Sequence, residues 1–528
     1  MEKRALIAVA ISFTILLVYQ FFFAPKEQQP VVQPPATVQE QEKPAPSEPV
    51  QPALPMPKPA EALAETREIK VDTELYSAVF SSLGATIKHY ELKNYKDKDG
   101  KNVVLLKERG AVPPLGMGSK DDFDFANVNF SVTGRDLVLN KDAPSGSLTF
   151  EYSEQGISVR RTYTFGNDNY RIDIKDEVSG LSEYWMALGS DFGIHDKTDT
   201  SVHVGPVVLQ GTDRKEFDNK KLGEPARLTK DLRWIAQEDK YFFASLVPLS
   251  PMEEAKIWQY KDSPVSAFKG NVGTNSFILY AGPKEYDRLK NLKVGLEHIV
   301  DFGFFSILAV PLFWVLKFFY QLIGNYGWAI ILLTLVTRIP FIPLINKSQK
   351  SMRKLQELQP KMAELREKFK KDPQKQQQEM MGLYKKHKVN PVGGCLPILL
   401  QIPVFFALYK ILLIAVELRG APFMLWIQDL SAPDTLFGHI PAWLPLIGGF
   451  AVGPLPIVMG ATMVIQQKMT PTSLDPTQNK LMMLMPIVFT FLFLNFASGL
   501  VVYWLMNNIF SIIQQFYANR KIAKEAAQ

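Results

Sequence analysis

The stretch YGWAIILLTLVTRIPFIPLI, residues 326–345, decides the fold class, because it is long and apolar and contains a single charged residue, Arg338. A helix of about 20 apolar residues crosses the roughly 30 Å of hydrocarbon in a bilayer. Comparable apolar segments lie at residues 5–23, 395–416, 443–465, 481–497 and 499–516. The sequence therefore predicts an α-helical multi-pass membrane protein with six spans.

The N-terminal apolar segment follows Lys3 and Arg4 and ends in the three phenylalanines at 21–23. A cleaved signal peptide is the alternative to a span, but signal cleavage requires small residues at this end. We therefore expect an uncleaved anchor over residues 1–24. Residues 25–66 are rich in proline, which indicates an extended tether rather than a folded domain.

The region over residues 67–300 has the alternating pattern of β-strands. The pattern is clearest in SLTFEYS (147–153), ISVRRTYTF (157–165) and YRIDIKDEV (170–178), which short turns with glycine separate. A series of such strands predicts an all-β sandwich domain. The single cysteine, Cys395, excludes an internal disulfide, so the core alone must hold this domain together.

The distribution of charge orients the predicted spans. Residues 346–393 contain 13 Lys or Arg against 5 Asp or Glu, whereas the loop at 417–442 is mainly acidic. The positive-inside rule places residues 346–393 in the cytoplasm. It places both termini there as well, because the N-terminus and the C-terminal tail at 518–528 are basic. This topology requires residues 301–324 to form an amphipathic helix in the outer interface. An ordinary span at 301–324 is the alternative.

The basic loop has the pattern of a helical hairpin over residues 347–391. A turn is expected at Lys371-Asp372-Pro373, and apolar residues repeat every seven positions before it. The two rows are Leu355, Met362 and Phe369, and Leu358 and Leu365. Such a hairpin can be a solvated spacer or a docking arm, and the periodicity favours neither.

Arg338 is the unusual residue of the predicted spans. A guanidinium at membrane depth costs about 2.5–3.5 kcal/mol by insertion scales, and it keeps its proton at any relevant pH. Since the other spans contain no Asp or Glu, a hydrated cavity is favoured over the alternative, in which the side chain snorkels to the headgroups. Further polar residues that could line the same cavity are Thr334, Gln401, Asn495, Ser498, Tyr503, Asn507, Asn508 and Ser511.

Several classes of function lack their motifs in this chain. There is no GxxxxGK[ST], HExxH or CxxC, and the net charge of +6 is small for a nucleic-acid-binding protein of 528 residues. We therefore expect no catalytic residues, no metal, no cofactor and no nucleotide hydrolysis. A protein without such a fuel must act on equilibria or barriers.

Several long motifs resemble the YidC/Oxa/Alb family of membrane protein insertases, and the upstream arrangement resembles its Gram-negative type. They are GNYGWAIILLTLVTR (324–338), LYKKHKVNPVGGCLPILLQIPVFFALYK (383–410), ELRGAPFMLWIQDLS (417–431), MPIVFTFLFLNFASGLVVYW (485–504) and, in the β-domain, FILYAGPKEYDRL (277–289). The resemblance implies a five-helix insertase core over 325–517, with a hydrophilic groove open to the cytoplasm and the lipid. It also implies a bacterial inner membrane location and a periplasmic β-super-sandwich.

The resemblance assigns roles to particular residues. Arg338 matches the groove arginine and Thr334 a groove-core position, while Tyr503 and Trp504 fall where the family often has two tyrosines. With Gln401, Asn507 and Ser511 these residues complete the expected groove. A surface for contacting substrate helices is implied at Ile402, Pro403, Phe405 and Leu408.

The partners that the resemblance implies are nascent membrane proteins, the Sec translocon and the lipid bilayer, with no direct nucleic-acid binding. It leaves open whether the ribosome and the signal-recognition machinery contact the hairpin.

Two other classes of protein remain alternatives. A small-solute transporter would need a site that is reachable from both sides, often between inverted repeats, and no such repeat is visible. An assembly scaffold would act mainly through the β-domain.

Overall fold

The computed structural model describes most of the chain after the tether. The described residues are 66–107, 110–199, 201–219, 222–261, 263–387, 389, 396–444, 448–469 and 476–526. The predicted anchor and nearly all of the tether lie outside them. The expected division into a β-rich domain followed by a helical region is confirmed.

The β-domain contains 19 strands within the described residues. In chain order they are β1 (Glu68–Asp72), β2 (Tyr76–Ser81), β3 (Thr86–Lys96), β4 (Asn102–Leu106), β5 (Met117–Gly118), β6 (Ser131–Thr133), β7 (Leu137–Val138), β8 (Ser145–Glu154), β9 (Ile157–Gly166), β10 (Arg171–Ser179), β11 (Tyr184–Ser190), β12 (Gly205–Gln210), β13 (Asp213–Glu216), β14 (Ala226–Leu228), β15 (Leu232–Glu238), β16 (Phe242–Pro248), β17 (Met252–Tyr260), β18 (Ser263–Gly270) and β19 (Thr274–Pro283).

The strands form three sheets. A nine-stranded sheet has the order β13-β12-β15-β16-β19-β10-β9-β8-β6, and the two five-stranded sheets have the orders β4-β3-β2-β1-β7 and β14-β17-β18-β11-β5. One five-stranded sheet packs on the long sheet through Phe80, whose ring centroid is 4.8 Å from that of Tyr163. The other packs on it through Tyr184, whose hydroxyl donates to Asp176 at 2.6 Å. The result is a sandwich around a continuous core.

The strands β8 and β9 show how the local sequence sets the register. Glu154 pairs with Ile157 across a two-residue turn. The central residues Gln155 and Gly156 have φ angles of 52° and 80°, the left-handed pair that matches the twist of a hairpin. Alternate side chains of β9 then point into the core, as the sequence pattern predicted.

One of these inward-facing side chains is an arginine. Arg161 is fully buried and makes a bidentate pair with Asp176, at 2.8 Å from Nε to Oδ1 and 2.7 Å from Nη2 to Oδ2. It also donates to the carbonyl oxygen of Leu115 at 2.6 Å. Because its charge is paired and its donors are used, this arginine links β9, β10 and the loop before β5 inside the core.

Ten α-helices lie in the described part of the chain. They are α1 (Tyr286–Asn291), α2 (Ser306–Ile323), α3 (Tyr326–Arg338), α4 (Ile342–Glu357), α5 (Gln359–Lys368), α6 (Pro373–Lys386), α7 (Leu396–Ile414), α8 (Pro454–Met469), α9 (Pro476–Phe493) and α10 (Ser498–Ala526). Among the described residues, α2 and the helical segment Tyr326–Glu357 are long and apolar enough to cross a membrane, and Gln401–Ile414 and Met482–Phe493 are shorter apolar helices. The number of six spans stays a prediction.

Two predicted boundaries differ from the structure. Helix α8 begins at Pro454, not at residue 443, because Gly448, Gly449 and Gly453 precede it and Gly449 has a φ of 84°. The predicted tail at 518–528 continues α10 as far as Ala526, since no glycine or proline follows Gly499. Glycines thus delay the start of α8, and the absence of a helix breaker after Gly499 lets α10 continue.

The basic loop folds as helices α4, α5 and α6, which form the expected hairpin. Leu358 separates α4 from α5, with Pro360 in the first turn of α5. Asp372 caps α6 by accepting from the backbone N–H of Lys375 at 3.1 Å. From the two apolar rows, Leu355, Leu358 and Met362 form a small core with Val389. Met352, Met380, Leu383 and Tyr384 pack against it.

Helix α2 has a buried face and an apolar exposed face. Ala309, Phe313 and Leu316 are buried, while Ile307 is 86% exposed and Trp314 is 71% exposed. The helix ends at Gly324, which has a φ of 72° and donates its backbone N–H to the carbonyl oxygen of Tyr320. An apolar outer face suits a lipid environment, and its placement in the outer interface rather than across the membrane stays a prediction.

The β-domain is joined to the helices by ion pairs. Lys410 of α7 lies 3.2 Å from Asp301, which precedes α2. Lys317 of α2 lies 2.5 Å from Asp287 of α1 and 3.7 Å from Glu417, which follows α7. These contacts fix the end of the β-domain beside α2 and the C-terminal end of α7.

Candidate functional site

Helices α3, α7 and α10 enclose a partly polar cavity together with the start of α4. Its volume is about 280 Å³, which includes the open solvent at its mouth. One part of the wall is apolar and comes from Phe341, Ile345 and Val404. The polar part consists of Thr334, Thr337, Arg338, Gln401, Tyr503 and Asn507. Apart from the open space at its mouth, the cavity is about large enough for one water molecule, and its wall offers that water hydrogen-bond partners.

The guanidinium of Arg338 is half-buried and bonds to α10. Its Nη1 donates to the backbone oxygen of Asn507 at 3.0 Å and to the Oδ1 atom of Asn507 at 2.5 Å, and its Nη2 donates to the Oε1 atom of Gln514 at 3.2 Å. All three acceptors are neutral. The positive charge is therefore oriented by α10 without being cancelled by a carboxylate among the described residues.

The position of Arg338 follows from the local sequence of α3. Asn325 begins the helix by accepting from the backbone N–H of Trp328 at 3.2 Å. Arg338 is the last residue of the helix, which Ile339 and Pro340 follow. The helical backbone continues through the turn at Ile339–Phe341 into α4, so Arg338 lies inside the helical segment Tyr326–Glu357 and not at a free helix end.

The polar residues of α10 form a row along one face. Asn507, Ser511 and Gln514 are spaced by four and three residues, which places them on successive turns. The Oγ atom of Ser511 donates to the Asn507 carbonyl at 2.8 Å, the same carbonyl that Arg338 contacts. Ser511 itself is not one of the cavity-lining residues. Gln514 was not predicted, although its spacing from Asn507 and Ser511 was visible in the sequence.

One helical turn from Arg338 and Asn507, the cavity wall is made by Thr334 and Tyr503, together with Gln401 of α7. Gln401 lines the cavity together with Tyr503, whose side chain is 2% exposed. Thr334 is 1% exposed and donates to the Ile330 carbonyl at 2.7 Å, within its own helix. These groups keep the wall polar while most of their own hydrogen bonds are made within the protein.

Trp504 differs from its predicted place. It is absent from the residues lining the cavity and packs in an aromatic cluster, with ring centroids 5.1 Å from Phe405, 5.8 Å from Phe489 and 5.2 Å from Phe493. Its buried indole Nε1 has no hydrogen-bond partner among the described residues. Consecutive residues of a helix point about 100° apart, and here Tyr503 lines the cavity while Trp504 turns into the aromatic cluster.

Three further polar residues bond elsewhere. Asn495 accepts from the Ala451 backbone at 3.0 Å, Ser498 donates to the Ala432 carbonyl at 2.8 Å, and Asn508 donates to Thr462 at 3.2 Å. These contacts join helices and loops. They hold α8 and the loop segments at Ala432 and Ala451 in place, and they do not line the cavity.

The expected substrate-contact residues lie on α7 with different exposures. Ile402 is 40% exposed, and Pro403 and Phe405 are half-buried. Leu408 is 1% exposed and packs inside the protein, which differs from the prediction. Of these four residues, Ile402 is therefore the most accessible at the surface and Leu408 the least.

Lys410 is a second charged residue in an apolar segment, and the sequence analysis did not single it out. It was visible as the one charge within residues 395–416. Its partner, Asp301, could not be read from the sequence, because the two residues are 109 positions apart. Lys410 belongs to the junction with the β-domain and does not line the cavity.

Among the described residues, no cluster of His, Cys, Asp or Glu could hold a metal ion.

These features define a class of protein: a membrane protein whose apolar helices enclose a polar cavity and carry a large β-rich domain. The helical region, residues 318–525, matches the family described as 60Kd inner membrane protein. Residues 68–315 match the YidC periplasmic domain family.

Similar proteins cover the full length of the chain. It is 40% identical to a protein of Syntrophus aciditrophicus over 99% of this chain and 100% of that protein, and 40% identical to one of Pelobacter propionicus with the same coverage. Both are named membrane protein insertase YidC. A crystal structure of active YidC insertase aligns with a TM-score of 0.38 and 20% identity, covering 86% of this chain and 93% of that one. The chain belongs to the YidC family, and it is an inner membrane protein with a periplasmic domain.

Proposed function

We propose that the chain is a membrane protein insertase and chaperone. It moves short polar segments of nascent membrane proteins through the cavity around Arg338 while their apolar helices enter the lipid. The observation that carries this proposal is a positive charge held at the cavity wall by neutral acceptors only. It acts alone or together with the Sec translocon.

The electrostatics of the cavity support the handling of acidic segments. An arginine has five N–H donors in a fixed fork, and three hydrogen bonds to described residues leave further donors for a passenger carboxylate. Such charge-assisted hydrogen bonds are stronger than neutral ones. The cavity therefore lowers the barrier for a carboxylate that would otherwise have to cross bare hydrocarbon.

The energy for insertion comes from the passenger. Burying an apolar helix in lipid contributes about 25 cal/mol for each Å² of apolar surface removed from water. The membrane potential adds about 2.3 kcal/mol for each charge moved through 100 mV. Both terms act without nucleotide hydrolysis, so the protein needs no catalytic residues and no cofactor.

The surface of α7 offers a path for the apolar part of the passenger. Ile402 is exposed beside the cavity-lining residues Gln401 and Val404. A passenger helix against Ile402, Pro403 and Phe405 would keep contact with lipid while its polar end occupied the cavity. Lateral release then requires no further gate.

The topology of this proposal has six spans and both termini in the cytoplasm. The hairpin of α4, α5 and α6 is then cytoplasmic, and its many lysines and arginines agree with the positive-inside rule. Its apolar residues are largely used in its own small core. Contacts with the ribosome and with signal-recognition machinery would therefore be made mainly by its charged surface.

The test is insertion by the purified chain in liposomes, with two small single-span substrates that differ only in an acidic or a neutral translocated tail. Arg338→Ala is expected to slow insertion of the acidic substrate about tenfold, the effect of about 1.4 kcal/mol. Arg338→Lys, which keeps the charge, should retain most of the activity. Arg419→Ala is the matched control, because Arg419 lies at the outer junction over the ring of Phe242 at 5.2 Å.

Equal insertion of the acidic substrate by the parent chain and by Arg338→Ala, at equal protein density, would exclude the electrostatic role. Deletion of residues 67–290 addresses the scaffold alternative. If the helices carry the activity, insertion by the shortened chain persists, although the loss of Asp287 removes an ion pair with Lys317.

A further inference from the structure

Gln514 occupies a connecting position between the cavity and the cytoplasmic hairpin. Its Oε1 atom accepts from Nη2 of Arg338 at 3.2 Å, and its Nε2 atom donates to the Oδ1 atom of Asn346 at 2.9 Å. Asn346 belongs to the first turns of α4, which continues into the hairpin. One side chain of α10 thus contacts both the groove arginine and the base of the hairpin.

A second contact joins the same two helices farther into the cytoplasmic side. Arg353 of α4 donates to the side-chain oxygen of Asn519 of α10. The two contacts lie seven residues apart on α4, or about two helical turns, so they hold its base along α10. The orientation of Gln514 therefore depends on where α4 lies.

The neutrality of Gln514 matters for the charge that it contacts. An amide oxygen orients a guanidinium without cancelling its charge, whereas a carboxylate at the same place would form a bidentate ion pair. An apolar residue of similar size would leave Nη2 without this acceptor, and the guanidinium could then turn away from the cavity. The side-chain chemistry at position 514 thus sets both the direction and the effective charge of Arg338.

We propose that Gln514 is the positioning residue of Arg338 and that it links the aim of the guanidinium to the base of the hairpin through Asn346. This inference rests on the proposed function of the cavity. When α4 lies along α10, Asn346 holds the amide of Gln514, and the amide holds Arg338 toward the passenger. When α4 moves away, Gln514 loses one of its two anchors and Arg338 is less well oriented.

The test compares insertion of the acidic-tailed substrate in liposomes by the parent chain, Gln514→Leu, Arg338→Ala and the double variant. Gln514→Leu is expected to reduce the rate about fivefold, as for the loss of one hydrogen bond of ordinary strength, and so less than Arg338→Ala does. It should cause no further loss in the Arg338→Ala background. A structural role alone would add its loss in both backgrounds, and that result overturns the proposal.

Two further variants keep the test independent of folding. Gln514→Glu retains a hydrogen-bond acceptor but cancels the charge, so it should slow the acidic substrate more than Gln514→Leu while the neutral substrate is unaffected. Asn346→Ala should cause a smaller loss, about twofold, and only when Gln514 is present. Parental activity of Gln514→Glu, or an undiminished effect of Asn346→Ala beside Gln514→Leu, contradicts the inference.

The control is Gln515→Leu on the same helix. Gln515 donates to the Met469 carbonyl at 2.6 Å, so any loss that it causes should be equal with and without Arg338. The Arg338→Ala arm separates the two hypotheses. If it inserts the acidic substrate as the parent does, the proposed function fails and this inference falls with it. If it is impaired while Gln514→Leu is not, only the role of Gln514 is overturned.

Discussion

Arg338 and Asn507, which are 169 residues apart in the chain, are joined by two hydrogen bonds from a single guanidinium nitrogen, one to the backbone oxygen and one to the side-chain oxygen of Asn507. This contact joins the C-terminal end of α3 to α10. Because both acceptors are neutral, the contact orients the guanidinium without cancelling its charge.

Asn507 should therefore tolerate loss of its side chain better than a change of its charge. Asn507→Ala removes one acceptor but leaves the backbone oxygen, so insertion of an acidic-tailed substrate should fall about twofold. Asn507→Asp places a carboxylate against Arg338 and should cause a larger loss. Insertion rates in liposomes at equal protein density check both. Equal rates for the two variants would show that the net charge of the site is unimportant.

Tyr503 and Trp504 should respond differently to loss of their polar atoms. Tyr503→Phe removes a buried hydroxyl from the cavity wall, and it should slow insertion. Trp504→Phe removes an indole N–H without a described partner and should insert passengers as the parent does. Trp504→Ala empties the aromatic cluster and should lower the free energy of unfolding by about 3–5 kcal/mol. A strong insertion defect in a stable Trp504→Phe variant would place the indole N–H in the substrate path.

The stability of the contact between α2 and the segment after α7 should depend on pH through Glu417. Burial raises the pKa of this carboxyl from 4.5 to about 7; Glu285 and Asp287 add to the increase, and Lys317 opposes it. Between these two pH values the unfolded chain releases the proton while the folded chain keeps it. The contribution of Glu417 to the free energy of unfolding is therefore complete below pH 4.5 and is lost as the pH rises through 7. Its upper bound is about 3 kcal/mol.

Thermal unfolding at pH 5 and pH 8 tests this contribution. The Tm of the parent chain should fall more between these values than that of Glu417→Gln, which cannot ionise. Glu151→Gln serves as the control, because Glu151 forms an exposed pair with Arg160. A fall of the same size in the parent and in Glu417→Gln would assign the pH dependence to other groups.

The buried pair in the β-domain should be costly to break but replaceable as a unit. Arg161→Met leaves Asp176 buried without its partner and should lower the free energy of unfolding by about 3–5 kcal/mol. Arg161→Met combined with Asp176→Leu removes both charges and should recover a large part of this loss. Denaturant unfolding followed through the tryptophans measures the difference. Simple addition of the two single effects would mean that the residues are not coupled.

Local features of the sequence predicted the elements that depend on local chemistry. Strands β8, β9 and β10 follow the alternation of residues 145–179, because side chains of a strand point to opposite faces in turn. The hairpin turn at Lys371-Asp372-Pro373 follows from capping by Asp372 and from the fixed φ of proline. Where hydropathy alone set a boundary, as at residue 443, the glycines before Pro454 moved it.

The partners of polar groups could not be predicted in this way. Gln514 and Lys410 were visible as polar residues in apolar segments, but their contacts with Arg338 and Asp301 join segments far apart in the chain. Such contacts depend on how helices cross. Helix crossing is set by the packing of many side chains at once, and a periodic pattern within one helix does not specify it.

The amino-acid sequence by itself determined that the chain has long apolar helices, a β-rich domain between the first and second of its predicted spans, and one unpaired arginine within a span. These properties depend on hydrophobicity and on spacing along one segment. Only the tertiary structure decided that Arg338 bonds to neutral groups of α10, that Trp504 leaves the cavity, and that Lys410 pairs with Asp301. The reason is physical: a hydrogen bond requires two groups within about 3 Å, and for groups on different helices the folded arrangement alone fixes that distance.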